Sequence, residues 1–208
     1  MPNQERVEKY KALELKIRKR FPDTKIKYKT DSWFWQMMPR PLRRSSMTFN
    51  NTILMAERSF NVSTLSHEYA HLCLMKKIGM FMFLLNYLSP QIISVIFFIL
   101  AAILGSWCTF FVALFFLLPL PSPRRLKIEE EGYRMSLAVE KWGHGKNTKY
   151  LQKFVVDSLV GWLYYKMTWD RGEATKLVEK MTRQVNENDP ELMKNIAYKD
   201  TYEIFHNE

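Results

Sequence analysis

Residues 64–72 read T-L-S-H-E-Y-A-H-L, so His67, Glu68 and His71 form the pattern H-E-x-x-H. On a helix, positions i and i+4 project from one face, and both imidazoles can reach a single metal ion. Imidazole nitrogens suit Zn²⁺, which in catalytic sites keeps one coordination position open. Glu68, beside the pair, is placed to take a proton from a water that the metal activates. The flanks support a helix: Leu65, Tyr69, Ala70 and Leu72 are uncharged, no proline interrupts them, and Gly79 offers a stop. The bland alternative is two surface histidines on an ordinary helix.

A catalytic zinc usually holds three protein ligands, so a third must come from elsewhere in the chain. The remaining histidines are His144 and His206, the latter close to the end of the sequence. A stronger source is Glu129-Glu130-Glu131-Gly132-Tyr133, which follows Pro119, Pro121 and Pro123. Proline tolerates a helix start but not its interior, so a helix is expected to open near Arg124. On it Glu129, Tyr133, Ser136 and Glu140 share one face, and Ile128, Met135, Val139 and Trp142 another. Gly132 costs about 1 kcal/mol relative to alanine inside a helix, which points to a packing reason. Without a side chain there, this helix can approach the histidine helix and set Glu129 over the metal. Glu130 and Glu131 read as a solvated helix start.

Together the two motifs resemble the gluzincin branch of zinc peptidases, in which H-E-x-x-H is followed by a helix carrying E-x-x-A-D or a variant. The resemblance covers roughly residues 45–142. It implies a zincin-like core with His67, His71 and Glu129 as zinc ligands and Glu68 as general base. Gly132 stands where the family has alanine. Tyr133 replaces an aspartate that in many members supports a zinc-binding histidine, so another carboxylate or carbonyl must orient the imidazole. Tyr133 and His144 are the candidate donors to the oxyanion of the transition state.

Between the motifs, residues 78–123 contain no charged side chain. A membrane span needs about 20 apolar residues, so this run accommodates two short spans, about 83–103 and 107–121, turning near 104–107. The second is short enough to require a thinned bilayer or a re-entrant path. A soluble helix pair is the competing reading, but a charge-free, aromatic-rich run has no polar face for water. Lys76 and Lys77 precede the run, and Arg124, Arg125 and Lys127 follow it. Basic flanks favour the cytoplasmic side, so both zinc motifs are expected to meet there, above the bilayer. An inserted hairpin between the zinc motifs resembles the heat-shock and CAAX-processing membrane zinc endopeptidases, of which this chain looks like a reduced relative without N-terminal spans.

The chain has 208 residues and a net charge of +10. Residues 1–77 carry 16 basic and 7 acidic side chains, which puts +9 of that charge ahead of the apolar run. Such a face is attracted to anionic lipid head groups. Nucleic acid is disfavoured as a partner, because no recognition helix or aromatic RNA platform accompanies the charge. Cys73 and Cys108 are the only cysteines and read as buried small hydrophobes, which suits a reducing compartment. Residues 3–20 are too charged for a secretory signal.

The elements that must position these groups follow from periodicity. Val7, Tyr10, Leu13, Ile17 and Phe21 mark an amphipathic helix over 3–21. Residues 24–30 alternate apolar side chains with lysine, a half-buried strand, and 47–56 reads as a second strand or hairpin. Between them, 31–46 is expected to be irregular, with Trp33, Trp35, Met37 and Met38 at head-group level. An edge strand ahead of the histidine helix (Thr52, Ile53, Leu54, Met55 and Ala56) is expected to pair with extended substrate. Helices are expected over 148–168 and 171–187, with a short last one opened by Asp189-Pro190.

The resulting expectation is a mostly helical α+β protein in three parts. Residues 1–80 hold the small sheet and the histidine helix, 81–121 a hydrophobic transmembrane hairpin, and 122–208 the glutamate helix and C-terminal helices. The function expected is that of a membrane-anchored zinc endopeptidase acting on protein or peptide substrates, with Zn²⁺ as cofactor and membrane lipid as partner. Two alternatives stay open: a membrane-inserting structural or delivery protein, such as a virion component with a structural zinc, and a membrane-permeabilising hairpin protein. An oligomer or larger assembly fits each of them.

Overall fold

The computed structural model describes residues 3–118, 120–145, 147–162 and 166–206. It is a mostly helical α+β protein with one small N-terminal sheet. Helix α1 (Asn3–Arg20) buries Tyr10, Leu13 and Ile17, the apolar face legible in the sequence. Strands β1 (Lys25–Tyr28), β2 (Met47–Phe49) and β3 (Thr52–Met55) form a three-stranded sheet in the order β1-β3-β2. β3 runs parallel to β1 and antiparallel to β2, and Asn50 and Asn51 take positive φ in the β2–β3 turn.

This order corrects the expected edge strand. Thr52, Ile53, Leu54 and Met55 lie on the inner strand, hydrogen-bonded on both sides, and Ala56 lies beyond it. An inner strand has no free backbone groups to offer a substrate. The edge on the histidine-helix side is β2, whose Thr48 bonds Glu68 of that helix. The segment 31–46 is also more regular than expected. It folds into α2 (Trp33–Met37) and α3 (Arg40–Arg44), anchored by a fully buried lysine. The Lys29 ammonium donates to the carbonyls of Leu42 (2.7 Å) and Ser45 (2.8 Å) and lies 4.4 Å from the Trp35 ring centroid. Burial pushes its pKa down.

The centre of the molecule is α4 (Val62–Ile78), which carries the histidines. The Asn61 side chain accepts from the Thr64 amide to cap it, and Gly79, at φ 85°, ends it. Its helical neighbours are α1, α5 (Met80–Tyr87), α8 (Pro123–His144) and α11 (Ile196–His206). α8 opens with Ser122 as cap and Pro123 in its first turn, one residue from the expected start, and ends at Gly145. The remaining helices are α6 (Ile92–Leu104), α7 (Trp107–Phe116), α9 (Lys149–Val160) and α10 (Arg171–Asn186). α9 is shorter than the helix expected over 148–168, of which residues 163–165 lie outside the described residues.

The apolar run divides at two places. α5 packs against α4 and α8, and the chain then bends by 88° into α6. α6 and α7 form an antiparallel pair, turning at Gly105 within the range expected. Among the described residues no single helix is long and apolar enough to cross a membrane, although α5 and α6 together have the length. Residue 119, inside the second expected span, lies outside the described residues. Cys108 is exposed on α7, contrary to the buried role expected, and Cys73 is half-buried.

Asp189-Pro190 opens a short 3-10 helix (Pro190–Lys194) as expected, capped by the Asp189 side chain, and α11, which follows it, closes the core through one buried carboxylate. Asp200, 1 % exposed, accepts two hydrogen bonds of 2.7 Å from Arg20 and one of 2.5 Å from the Tyr69 hydroxyl. Tyr69 is the first x of H-E-x-x-H, so this network ties α1 and α11 to the histidine helix. The Arg20 side chain is 40 % exposed and can return to water, so losing Asp200 costs its charge-assisted hydrogen bonds, about 1.5–3 kcal/mol, and leaves the Tyr69 hydroxyl unsatisfied, about 1–3 kcal/mol. Asp200→Ala is therefore expected to lower stability by about 3 kcal/mol, a drop of roughly 6–12 °C in melting temperature. Circular dichroism of detergent-purified protein measures it.

Candidate metal centre

α4 and α8 bring three ligand atoms to one point. His67 Nε2 lies 3.0 Å from His71 Nε2 and 3.2 Å from Glu129 Oε2, and His71 Nε2 lies 3.7 Å from the same oxygen. Each of the three residues offers one ligand atom, and together they can hold a metal ion. His71 and Glu129 are buried and His67 is partly so.

The close approach depends on Gly132. A methyl group built on its Cα meets the His67 ring at 2.6–2.8 Å, far inside contact distance. Any larger residue would drive His67 out of position or push α8 away from α4. Tyr133 follows directly, its ring edge-to-face with His67 at 5.0 Å between centroids. Phe83 and Tyr87 of α5 approach the His71 ring at 6.2 and 6.4 Å, completing an aromatic wall.

The electrostatics follow from burial and pairing. Burial alone would raise the Glu129 carboxyl, but the His71 and His67 imidazoles hold it well below its usual range. For His71 burial disfavours charge, yet the Glu129 carboxylate, aided by Glu68 and Glu131, keeps its pKa above the ordinary value. An ionised carboxylate facing two imidazole nitrogens is a site made for a cation.

Groups to which the sequence assigned no role at the site hold its side chains in place. The Tyr87 hydroxyl donates to Glu129 Oε1 at 2.7 Å, leaving Oε2 towards the histidines. Arg125, one turn before Glu129, donates to the Tyr87 carbonyl (2.6 Å) and to Gln91 (3.0 Å) and lies over the Tyr87 ring. This buried guanidinium locks the α5–α6 corner onto α8. The Thr48 hydroxyl is 2.8 Å from Glu68 Oε2 and 3.0 Å from the Glu68 carbonyl, fixing the carboxylate beside the pair. Tyr87 carried a signal, a lone phenol in a charge-free run; Thr48 carried none. The carboxylate or carbonyl expected to orient an imidazole is not supplied to His71, whose buried Nδ1 has no hydrogen-bond partner among the described residues.

Other expected groups separate. Glu130 and Glu131 both bond Arg134, and Glu131 also accepts from Asn195. They therefore point to Arg134 instead of the histidines; seven and eight residues inside α8 and only partly exposed, they are not the solvated helix start expected. His144 is exposed at the far end of α8, fifteen residues from Glu129, about 22 Å along the axis. It cannot act as a transition-state donor at this centre. His206 stacks on Tyr202 near Trp142.

Comparisons with protein-family models, with curated proteins and with solved structures find no match for this chain.

Two expected outcomes test the centre. With zinc as the probe ion, Glu129→Ala should weaken binding by orders of magnitude, whereas Glu131→Ala should leave it within about twofold. Gly132→Ala should lower zinc affinity about tenfold or more despite alanine's gain of about 1 kcal/mol in helix propensity, because the new methyl displaces His67. Competition with a chromophoric chelator reads both.

Proposed function

We propose that this protein is a membrane-anchored zinc-dependent endopeptidase. The observation that carries the reading is the triad of His67, His71 and Glu129 with Glu68 held beside it by Thr48. Tetrahedral zinc with ligands at about 2.05 Å has ligand–ligand edges of roughly 3.3 Å. The observed separations of 3.0, 3.2 and 3.7 Å bracket that edge. Two imidazoles and one carboxylate also match the donor set of zinc hydrolases, and three ligands leave a fourth position for chemistry.

Zinc, when bound, supplies Lewis acidity to the scissile carbonyl and to the attacking water. The chain's own residues supply the rest. The Glu68 carboxylate takes the proton from the water and later delivers it to the leaving amine, while the Thr48 hydroxyl fixes its orientation. Tyr87 fixes Glu129, and with Phe83 and Tyr133 it shields the ligands from bulk water. Tyr133, against His67, is the donor proposed for the developing oxyanion. The outer edge of β2 takes the place first assigned to residues 52–56. It is unpaired, carries Thr48, and offers backbone groups to an extended substrate. The exposed apolar pair α6–α7 supplies the membrane anchor.

A second reading keeps the zinc and removes the catalysis. The metal would then staple α4 to α8 in a membrane-inserting structural or delivery protein, which the missing partner at His71 Nδ1 favours. Glu68→Gln separates the two. Glutamine preserves shape and hydrogen bonding but accepts no proton, and Glu68 is not a ligand. Zinc content and fold should be unchanged, while cleavage of β-casein or of the chain itself, between about pH 6 and 9, should disappear. Identical behaviour of the zinc-loaded wild type and variant removes the peptidase reading and leaves the staple.

A further inference from the structure

We infer that the α6–α7 pair is a one-leaflet wedge, not a bilayer-crossing hairpin, and that it seats the metal centre at an anionic membrane surface; this rests on the membrane half of the reading above. Length carries the first part. α6 has 13 residues and α7 has 10, so they reach about 20 and 15 Å from their base. The hydrocarbon core is about 30 Å thick, and one leaflet of it about half that.

α5 cannot lengthen the wedge, because it belongs to the metal centre. It lies at 88° to α6, and Tyr87 at its end bonds the ligand Glu129. Arg125 clamps the corner through the Tyr87 carbonyl and Gln91. Gln91 in turn donates to the Leu118 carbonyl at 3.2 Å, closing the base of the pair. Extending α5 and α6 into one span would break these bonds and strip Glu129 of its hydroxyl donor.

The exposed surface identifies the occupant. Val95, Ile96, Ile99 and Ile103 are exposed along α6, as are Phe111 and Phe115 on α7. Among the described residues of the two helices only the small Ser94 and Ala113 are fully buried, which lets the helices pack closely against each other. Each helix thus turns about half its circumference outward, and the apolar surface wraps the pair. A second protein chain would cover one side of it; fluid acyl chains cover every side. At the base the chemistry reverses. Lys76 and Lys77 end α4, Arg124 and Lys127 begin α8, and all four are exposed. They match a layer of anionic head groups.

The full-length protein provides the test. A Cys108→Ser background removes the exposed thiol, while Cys73 is half-buried and its thiol is pushed up to about 12 by burial. In that background Ser106→Cys places a nitrobenzoxadiazole label at the tip, and Leu118→Cys places one at the base. Both proteins are reconstituted into phosphatidylcholine vesicles containing phosphatidylglycerol, with lipids spin-labelled either near the head group or deep in the acyl chain. The expected result is flotation with the vesicles, with the tip label quenched at least about twofold more by the deep spin label and the base label more by the shallow one. Dithionite trapped inside the vesicles should leave the tip label intact. Reduction of the tip label from inside means that the pair crosses the bilayer; it overturns the wedge and leaves the membrane reading standing. Equal depths for tip and base mean that the pair lies flat, which also overturns the wedge. Failure to float, or flotation without quenching of either label, overturns the wedge and the membrane reading together, while the zinc and Glu68 results stand apart.

Discussion

The crossing of α4 and α8 at Gly132 is the constraint on which the site depends. The His67 ring fills the space that any side chain at 132 would occupy, so the two helix backbones approach closely at the level of the ligands. Everything chemically interesting sits within one helical turn of that contact: Glu129 before it, Tyr133 after it, and His71 one turn along α4. Glycine inside a helix is costly in conformational entropy, and the return is a metal-sized gap between imidazole and carboxylate. The Asn61 and Ser122 caps fix where each helix starts, and so its rotational phase at the crossing.

Burying a carboxylate without a counter-charge costs several kcal/mol, and the fold meets that cost at Glu129 by concentrating partners around it. Two imidazoles face one oxygen and the Tyr87 hydroxyl bonds the other. The same logic recurs at Asp200, where Arg20 and Tyr69 satisfy a carboxylate nearly sealed from water. The two networks lie on opposite sides of α4. One is neutralised within the protein and serves stability. The other is completed by histidine nitrogens that a cation can claim, and that difference separates a structural ion pair from a binding centre.

The apolar run serves two purposes that its composition does not distinguish. Its first eight-residue helix forms a wall of the candidate metal centre, and the rest is a largely exposed helix pair in which, among the described residues, only Ser94 and Ala113 are fully buried. Arg125 divides them. Its guanidinium is buried, bonded to the Tyr87 carbonyl and to Gln91, and sits one turn from Glu129. The base of the α6–α7 pair is thereby linked to Glu129 by three hydrogen bonds, Gln91 to Arg125, Arg125 to the Tyr87 carbonyl and the Tyr87 hydroxyl to Glu129.

Local patterns were legible wherever one helix or strand settles the outcome. The i, i+4 histidines, the start of α8, the apolar face of α1 and the β2–β3 hairpin follow from spacing, capping and period. Glu129, set apart from Glu130 and Glu131, was legible because Gly132 marks which face of α8 must come close to another helix. What sequence could not decide is what depends on neighbours distant along the chain. β3 became an inner strand because β1 pairs with it in parallel from more than twenty residues away. His144 fell at the far end of α8, and Thr48, Tyr87 and Asp200 became partners of Glu68, Glu129 and Tyr69 through contacts across 20, 42 and 131 residues. A charge-free run signals only that it avoids water. Which part of it packs on the protein, as Phe83 and Tyr87 of α5 do beside His71, and which part stays exposed, as much of α6 and α7 does, was decided by the tertiary fold, because only the packed α4–α8 crossing creates the surface against which α5 turns.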